Sequence, residues 1–333
     1  MPDATQKSTA PPSPARRGKR TLAVQIVVTT IVLLFVAKAL IKQWDDFRGT
    51  PLVVSPNWTI IIASGLVVLA TYALLVETWR RILGAWGSAL AFPDAVRIWC
   101  VSNLGRYVPG KVWQIGAMST MAENAGVSAA AAAGSAVLNT IVNIATGFLV
   151  ALLAGWRSFD TLSNGNTGIG IAILTIALGG VLLLPTALPY LLAVARRMTG
   201  RALDLGPIPH RAIVISLIGN VAAWLMYGAA FELFVHGIIG GAPGTFPDYV
   251  TAYAWPYILG YLAILLPGGL GVRDSALAVA LGALKLATPP QAVVVTVTSR
   301  LWLTVLELVP GFIYLARGIR RGSATTLRNG SNL

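Results

Sequence analysis

The sequence predicts an all-α, polytopic membrane bundle of about six full crossings plus two re-entrant hairpins in an inverted-topology repeat. Three observations lead there. The first is composition: 333 residues, 56% hydrophobic and only 11% charged, against about 25% charged in soluble domains. Such a chain cannot surround a core with water-facing charge, so its solvent is largely lipid. The second is a set of long apolar runs, two of them interrupted by Pro-Gly. The third is the alternation of basic and neutral loops. The net charge of +13 does not read as a nucleic-acid surface, because the cations sit between hydrophobic runs and form no single basic face.

Residues 1–20 are rich in Pro, Ser and Arg and read as a disordered basic tail. A crossing needs about 20 apolar residues. Runs of that length cover 21–42, 58–79, 128–154, 168–191, 211–237 and 290–316. The first run follows Arg16, Arg17, Lys19 and Arg20, and Ala37-Lys38-Ala39 imitates a cleavage box. Its apolar stretch is long for a signal peptide, so it reads as an uncleaved anchor. Two further regions, 92–120 and 249–286, are apolar but broken at Pro109-Gly110 and Pro267-Gly268. Residues 318–333 complete the chain as a second tail.

Arginine and lysine in the loops set orientation. They concentrate in the N-terminal tail, after the second run (Arg80, Arg81, Arg97, Arg106, Lys111), in 192–211 and after Arg317. The intervening loops balance Arg48 against Asp45 and Asp46, and Arg157 against Asp160. This parity puts both termini in the cytoplasm of a cell membrane, inner or plasma.

The two Pro-Gly breaks lie 158 residues apart. Shifting the first half by that amount lays helix on helix, giving pseudo-repeats of about 21–154 and 168–316. Each half reads helix, helix, Pro-Gly hairpin, helix. An odd number of crossings per half inverts the second, the pattern of transporters whose sites lie at the interrupted segments. Eight full crossings with proline kinks fit the same charge parity.

Charge inside hydrocarbon marks function by default. Arg300 lies mid-run, and Glu307 lies two turns away, too far for an easy direct pair. Arg273 and Asp274 are the best candidate partners, with Glu232 next. Such a cluster serves either a substrate or a structural ion network. Asn139 and Asn143 share one helix face, and shifted by 158 that face falls on Arg300. Asparagines there join helices more often than they bind ligands. In the first hairpin, Arg106 and Lys111 flank the tip, with Tyr107 and Trp113 beside them. A half-helix starting after the tip attracts anions, so this group can hold a phosphate; the other reading is snorkelling anchors. Two histidines, His210 and His236, and one cysteine, Cys100, give no metal spacing. No cofactor is expected.

"NLGRYVPGKVWQIG" (103–116) and "LLPGGLGVRDSALA" (265–278) together resemble the paired motifs of the lysylphosphatidylglycerol synthase transmembrane region, the flippase-like domain family. Asp274 stands where that family usually has glutamate. The resemblance covers roughly 20–320. It implies lipid handling, with membrane phospholipids or lipid-linked headgroups as partners. It implies cationic residues at two hairpin tips: Pro109 and Gly110 in one, Pro267, Gly268, Gly269 and Gly271 in the other. The family's synthase activity belongs to a separate soluble domain, for which no room is expected after the last run, so this chain is not expected to be an enzyme. A membrane scaffold for a lipid- or glycan-processing enzyme remains a second class. A membrane-embedded transferase using Asp274, Glu232 or Glu307 is a third.

Overall fold

The computed structural model describes residues 55–107, 112–156, 209–262 and 271–330. The chain divides into two compact units, Met1–Arg48 and Gly49–Leu333. The first unit, and with it the expected tail and first crossing, lies outside the described residues. So does the expected crossing at 168–191.

The described residues form eight α-helices: α1 (Trp58–Ala85), α2 (Phe92–Asn103), α3 (Val112–Glu123), α4 (Ala129–Ala154), α5 (His210–Ile239), α6 (Phe246–Leu262), α7 (Val272–Ala283) and α8 (Pro289–Gly330). A 3-10 turn, Leu104–Tyr107, extends α2. No strand occurs among the described residues. Among the described residues four stretches are long and apolar enough to cross a membrane: Trp58–Ala85, Ala131–Ala154, His210–Ile239 and Pro289–Ala316. The chain is therefore read as a helical membrane protein.

Local chemistry starts these helices where side-chain acceptors meet otherwise unpaired first-turn amides. The Asn57 carboxamide accepts from the Ile60 amide at 3.3 Å, and the Ser128 hydroxyl from the Ala131 amide at 3.2 Å. Asp248 accepts from the Thr245 amide at 2.8 Å before α6, and Gln291 from the Thr288 amide at 3.0 Å before α8. Two boundaries differ from expectation. The second run was expected to end at 79, with Arg80 and Arg81 in the following loop. They lie inside α1, because Glu77 accepts from both, at 2.7 Å each, and draws the basic residues into another turn of helix. The segment 318–333, expected as a tail, is helical through Gly330.

The described helices fall into two runs of four, α1–α4 and α5–α8. Each is a long helix, two shorter helices in contact with one another, and a second long helix. Exchanging α1–α4 with α5–α8 maps α4 with α6 onto α8 with α2 and α3 with α4 onto α7 with α8, whereas the extensive α4–α5 interface maps onto only a slight contact of α8 with α1. The central pair, α1 with α5, maps onto itself and packs most extensively. It runs antiparallel: Gly237 meets Ile61 at one end, and Gly219 meets Thr78 at the other. A side chain at Gly219 would collide with Thr78, so glycine permits the close approach. At the ends of the pair the Asn57 amide donates to the Gly237 carbonyl at 2.8 Å.

The core around α1 to α4 gathers Trp79, Leu83, Ile98, Trp99, Met118 and Ala132. Trp79 is fully buried, and its indole N–H donates to the Ser135 hydroxyl at 3.0 Å, so its polar edge is satisfied. The helices α2, α3 and α7 have 12 residues each. That is about 18 Å of rise against about 30 Å of hydrocarbon.

Candidate functional site

Among the described residues, α6, α7 and α8 bring Arg273, Asp274 and Arg300 to one place. The chain enters α7 through Gly271, whose φ of 82° suits glycine. Asp274, three residues on, accepts from the Gly271 amide at 3.2 Å and so fixes the start of the helix. The same carboxylate receives Arg300 of α8 through Nη1, at 3.0 and 3.3 Å to its two oxygens. The pair is sheltered, with side-chain exposures of 11% for Arg300 and 16% for Asp274. The sequence suggested that Arg273 or Asp274 would meet Arg300 or Glu307, and the pair formed is Asp274 with Arg300. One carboxylate thereby caps α7 and ties it to α8. A charge-assisted bond of this kind is stronger than a neutral one, and breaking it would strand a buried charge.

Arg273 goes another way. Its guanidinium carbon lies 5.1 Å from the centre of the Tyr257 ring and 5.8 Å from that of Tyr253. Both tyrosines are on α6. Around them lies a wider aromatic cluster. Tyr227 stacks on Tyr253 at 5.3 Å, Trp224 meets Tyr257 edge-on at 5.4 Å, and Tyr72 of α1 meets Tyr227 at 6.3 Å. The Tyr72 hydroxyl donates to Glu307 of α8 at 3.4 Å. The rings thus form a continuous file between Arg273 at one end and Glu307 at the other.

Glu232 stands apart from this cluster on α5. Its backbone carbonyl accepts from Nδ1 of His236 at 2.8 Å, and no ion pair to its carboxylate occurs among the described residues. Asn139 and Asn143 of α4 face α5. Asn220 donates to Asn139 at 3.0 Å and accepts from Asn143 at 2.8 Å. The Asn143 backbone carbonyl also takes the Trp224 indole N–H at 3.0 Å. These asparagines are bonded across the helix interface.

Of the first hairpin, Arg106 and Tyr107 lie in the 3-10 turn and Trp113 in the first turn of α3. Pro109, Gly110 and Lys111 lie outside the described residues, as do Pro267, Gly268 and Gly269 of the second tip. Among the described residues no group of three or more His, Cys, Asp and Glu side chains is placed to hold a metal.

The sequence reading missed Asn220 and the tyrosines 72, 227, 253 and 257. A signal was present for part of this: Tyr253, Tyr257 and Gly260 recur at i, i+4 and i+7, one face of α6. No known protein-family model matches the chain, and no curated protein matches it either.

Proposed function

We propose that the chain belongs to the flippase-like domain family and moves a lipid with a phosphate-bearing headgroup between the leaflets of a cell membrane, without chemically changing it. In this reading the halves form an inverted-topology repeat with both termini in the cytoplasm. The helix pairs α2–α3 and α6–α7 re-enter from opposite faces. The antiparallel packing of α1 against α5 supports the inversion, and the exchange of helix contacts between halves supports the repeat. The 12-residue helices favour re-entry over crossing, since each is shorter than the hydrocarbon is thick.

The observation that carries the reading is the Arg300–Asp274 pair. A headgroup cannot cross hydrocarbon unaided and needs polar stations on its way. An ion pair linking the second hairpin to the last helix is such a station, and it is also a latch. A passing phosphate competes with Asp274 for Arg300, and the pair re-forms behind it. Arg106 and Lys111 serve the opposite mouth in the same scheme.

The test is reconstitution of the full chain into liposomes holding fluorescent phosphatidylglycerol, with an outside quencher reporting how much label crosses. Wild-type protein should move label faster than protein-free liposomes do. Asp274→Asn should slow the movement by about tenfold or more, the cost of about 1.4 kcal/mol or more at the barrier. Wild-type liposomes no faster than empty ones would overturn the proposal.

A further inference from the structure

We propose that Arg273 is a preorganised phosphate receptor, and that Tyr253, Tyr257 and Gly260 are the positioning residues that keep it so. This rests on the lipid reading above for its physiological ligand, but the chemistry stands on the geometry of α6 and α7.

The contrast with Arg300 carries the argument. Arg300 gives a nitrogen to Asp274 at 3.0 Å. Among the described residues no carboxylate or carbonyl accepts from Arg273; its contacts are the faces of two tyrosines. An aromatic face attracts a cation through its quadrupole but offers no lone pair. Among the described residues its five N–H donors therefore meet no acceptor, and Arg273 is half-buried. A guanidinium held this way is charged, oriented and short of acceptors. Its natural complement is a bidentate oxyanion, and phosphate matches the fork.

The local sequence builds the arrangement. Tyr253, Tyr257 and Gly260 lie on one face of α6. A methyl group at Gly260 would come 2.7 Å from Cβ of Arg273, so only glycine lets the base of Arg273 sit against α6. From there its side chain extends back along the helix over Tyr257 and then Tyr253. Behind the rings, Trp224 and Phe231 bury Tyr253 to 4% exposure, which fixes the ring that Arg273 rests on. A long side chain that would otherwise sample many rotamers is held before a ligand arrives, which lowers the ordering cost of binding.

Arg273, Tyr257 and Gly260 can be tested in the full chain in detergent, by calorimetric titration with inorganic phosphate and with dihexanoyl-phosphatidylglycerol. Tyr257→Leu should weaken binding about tenfold, while Tyr257→Phe, which keeps the face and loses only the hydroxyl, should stay within about twofold. Arg273→Lys should weaken it by about tenfold or more, since a point charge cannot fork. Gly260→Ala should act like Tyr257→Leu. Binding of both ligands supports a site for the phosphate ion itself, and binding of the lipid alone supports a headgroup site. Binding of neither overturns the proposal. So does a Tyr257→Phe loss as large as that of Tyr257→Leu, or wild-type affinity in Arg273→Gln. Thermal midpoints matched to wild type separate lost positioning from lost folding. If binding behaves as expected but liposomes show no lipid movement, the transport reading falls and the receptor stands. If lipid moves yet Arg273→Gln binds normally, the receptor falls alone.

Discussion

Two polar clusters among the described residues are built on opposite plans. Between α4 and α5 the cluster is neutral. Asn220 bonds to both Asn139 and Asn143, also donates to the Ser216 carbonyl at 2.8 Å, and is fully buried. Between α6, α7 and α8 the cluster is charged and uneven. Arg300 and Asp274 neutralise each other, while the neighbouring Arg273 rests on tyrosine faces. In the first arrangement Asn220 has its amide nitrogen and its oxygen engaged with neighbours on α4 and α5, as expected of interhelical glue. The second keeps donors in reserve where charge is expensive to bury. Two polar sites buried in one bundle therefore do different work: one joins helices, the other holds charge.

This comparison can be broken at its strongest point. Asp274→Ala leaves Arg300 sheltered without its carboxylate and should cost about 3 kcal/mol of stability. The double change with Arg300→Ala should cost clearly less, because it removes the stranded charge. Unfolding in mixed micelles reads both, and additive losses would make the two residues independent.

A smaller effect sharpens the neutral side. Asn220→Leu removes the bonds to Asn139 and Asn143 and should cost about 1–2 kcal/mol, near the upper range for hydrogen bonds between membrane helices. Phosphate affinity should stay unchanged. A loss of affinity at full stability would move the asparagines from glue to ligand path.

The smallest effect is expected at the end of α1. Arg81 pairs with Glu77 at 2.7 Å, but its side chain is 64% exposed. Arg81→Gln should change stability by about 0.5 kcal/mol or less, as for other exposed helical pairs. A larger loss would mean that this end of α1 is sheltered by something beyond its own helix.

Much of the layout was legible in the sequence. Four of the six long runs fall on helices that can cross a membrane: Trp58–Ala85, Ala131–Ala154, His210–Ile239 and Pro289–Ala316. Apolar length is a local property, and lipid leaves the backbone no alternative to a helix there. The charged candidates Arg273, Asp274 and Arg300 were also visible, since a charge within an apolar run stands out whatever surrounds it.

The tertiary structure decided which of them meet. Asp274 serves Arg300, and Glu307 receives the Tyr72 hydroxyl from α1. No pattern in α8 alone distinguishes those outcomes, because each partner comes from a distant segment. Asn220 drew no notice in the sequence, since one amide in a long apolar helix says nothing about the two that face it. Arg273 shows the limit most clearly. Its charge is local, but the tyrosine faces beneath it and the missing side chain at Gly260 belong to another helix. Whether a cation is neutralised or held ready depends on neighbours brought together only by folding.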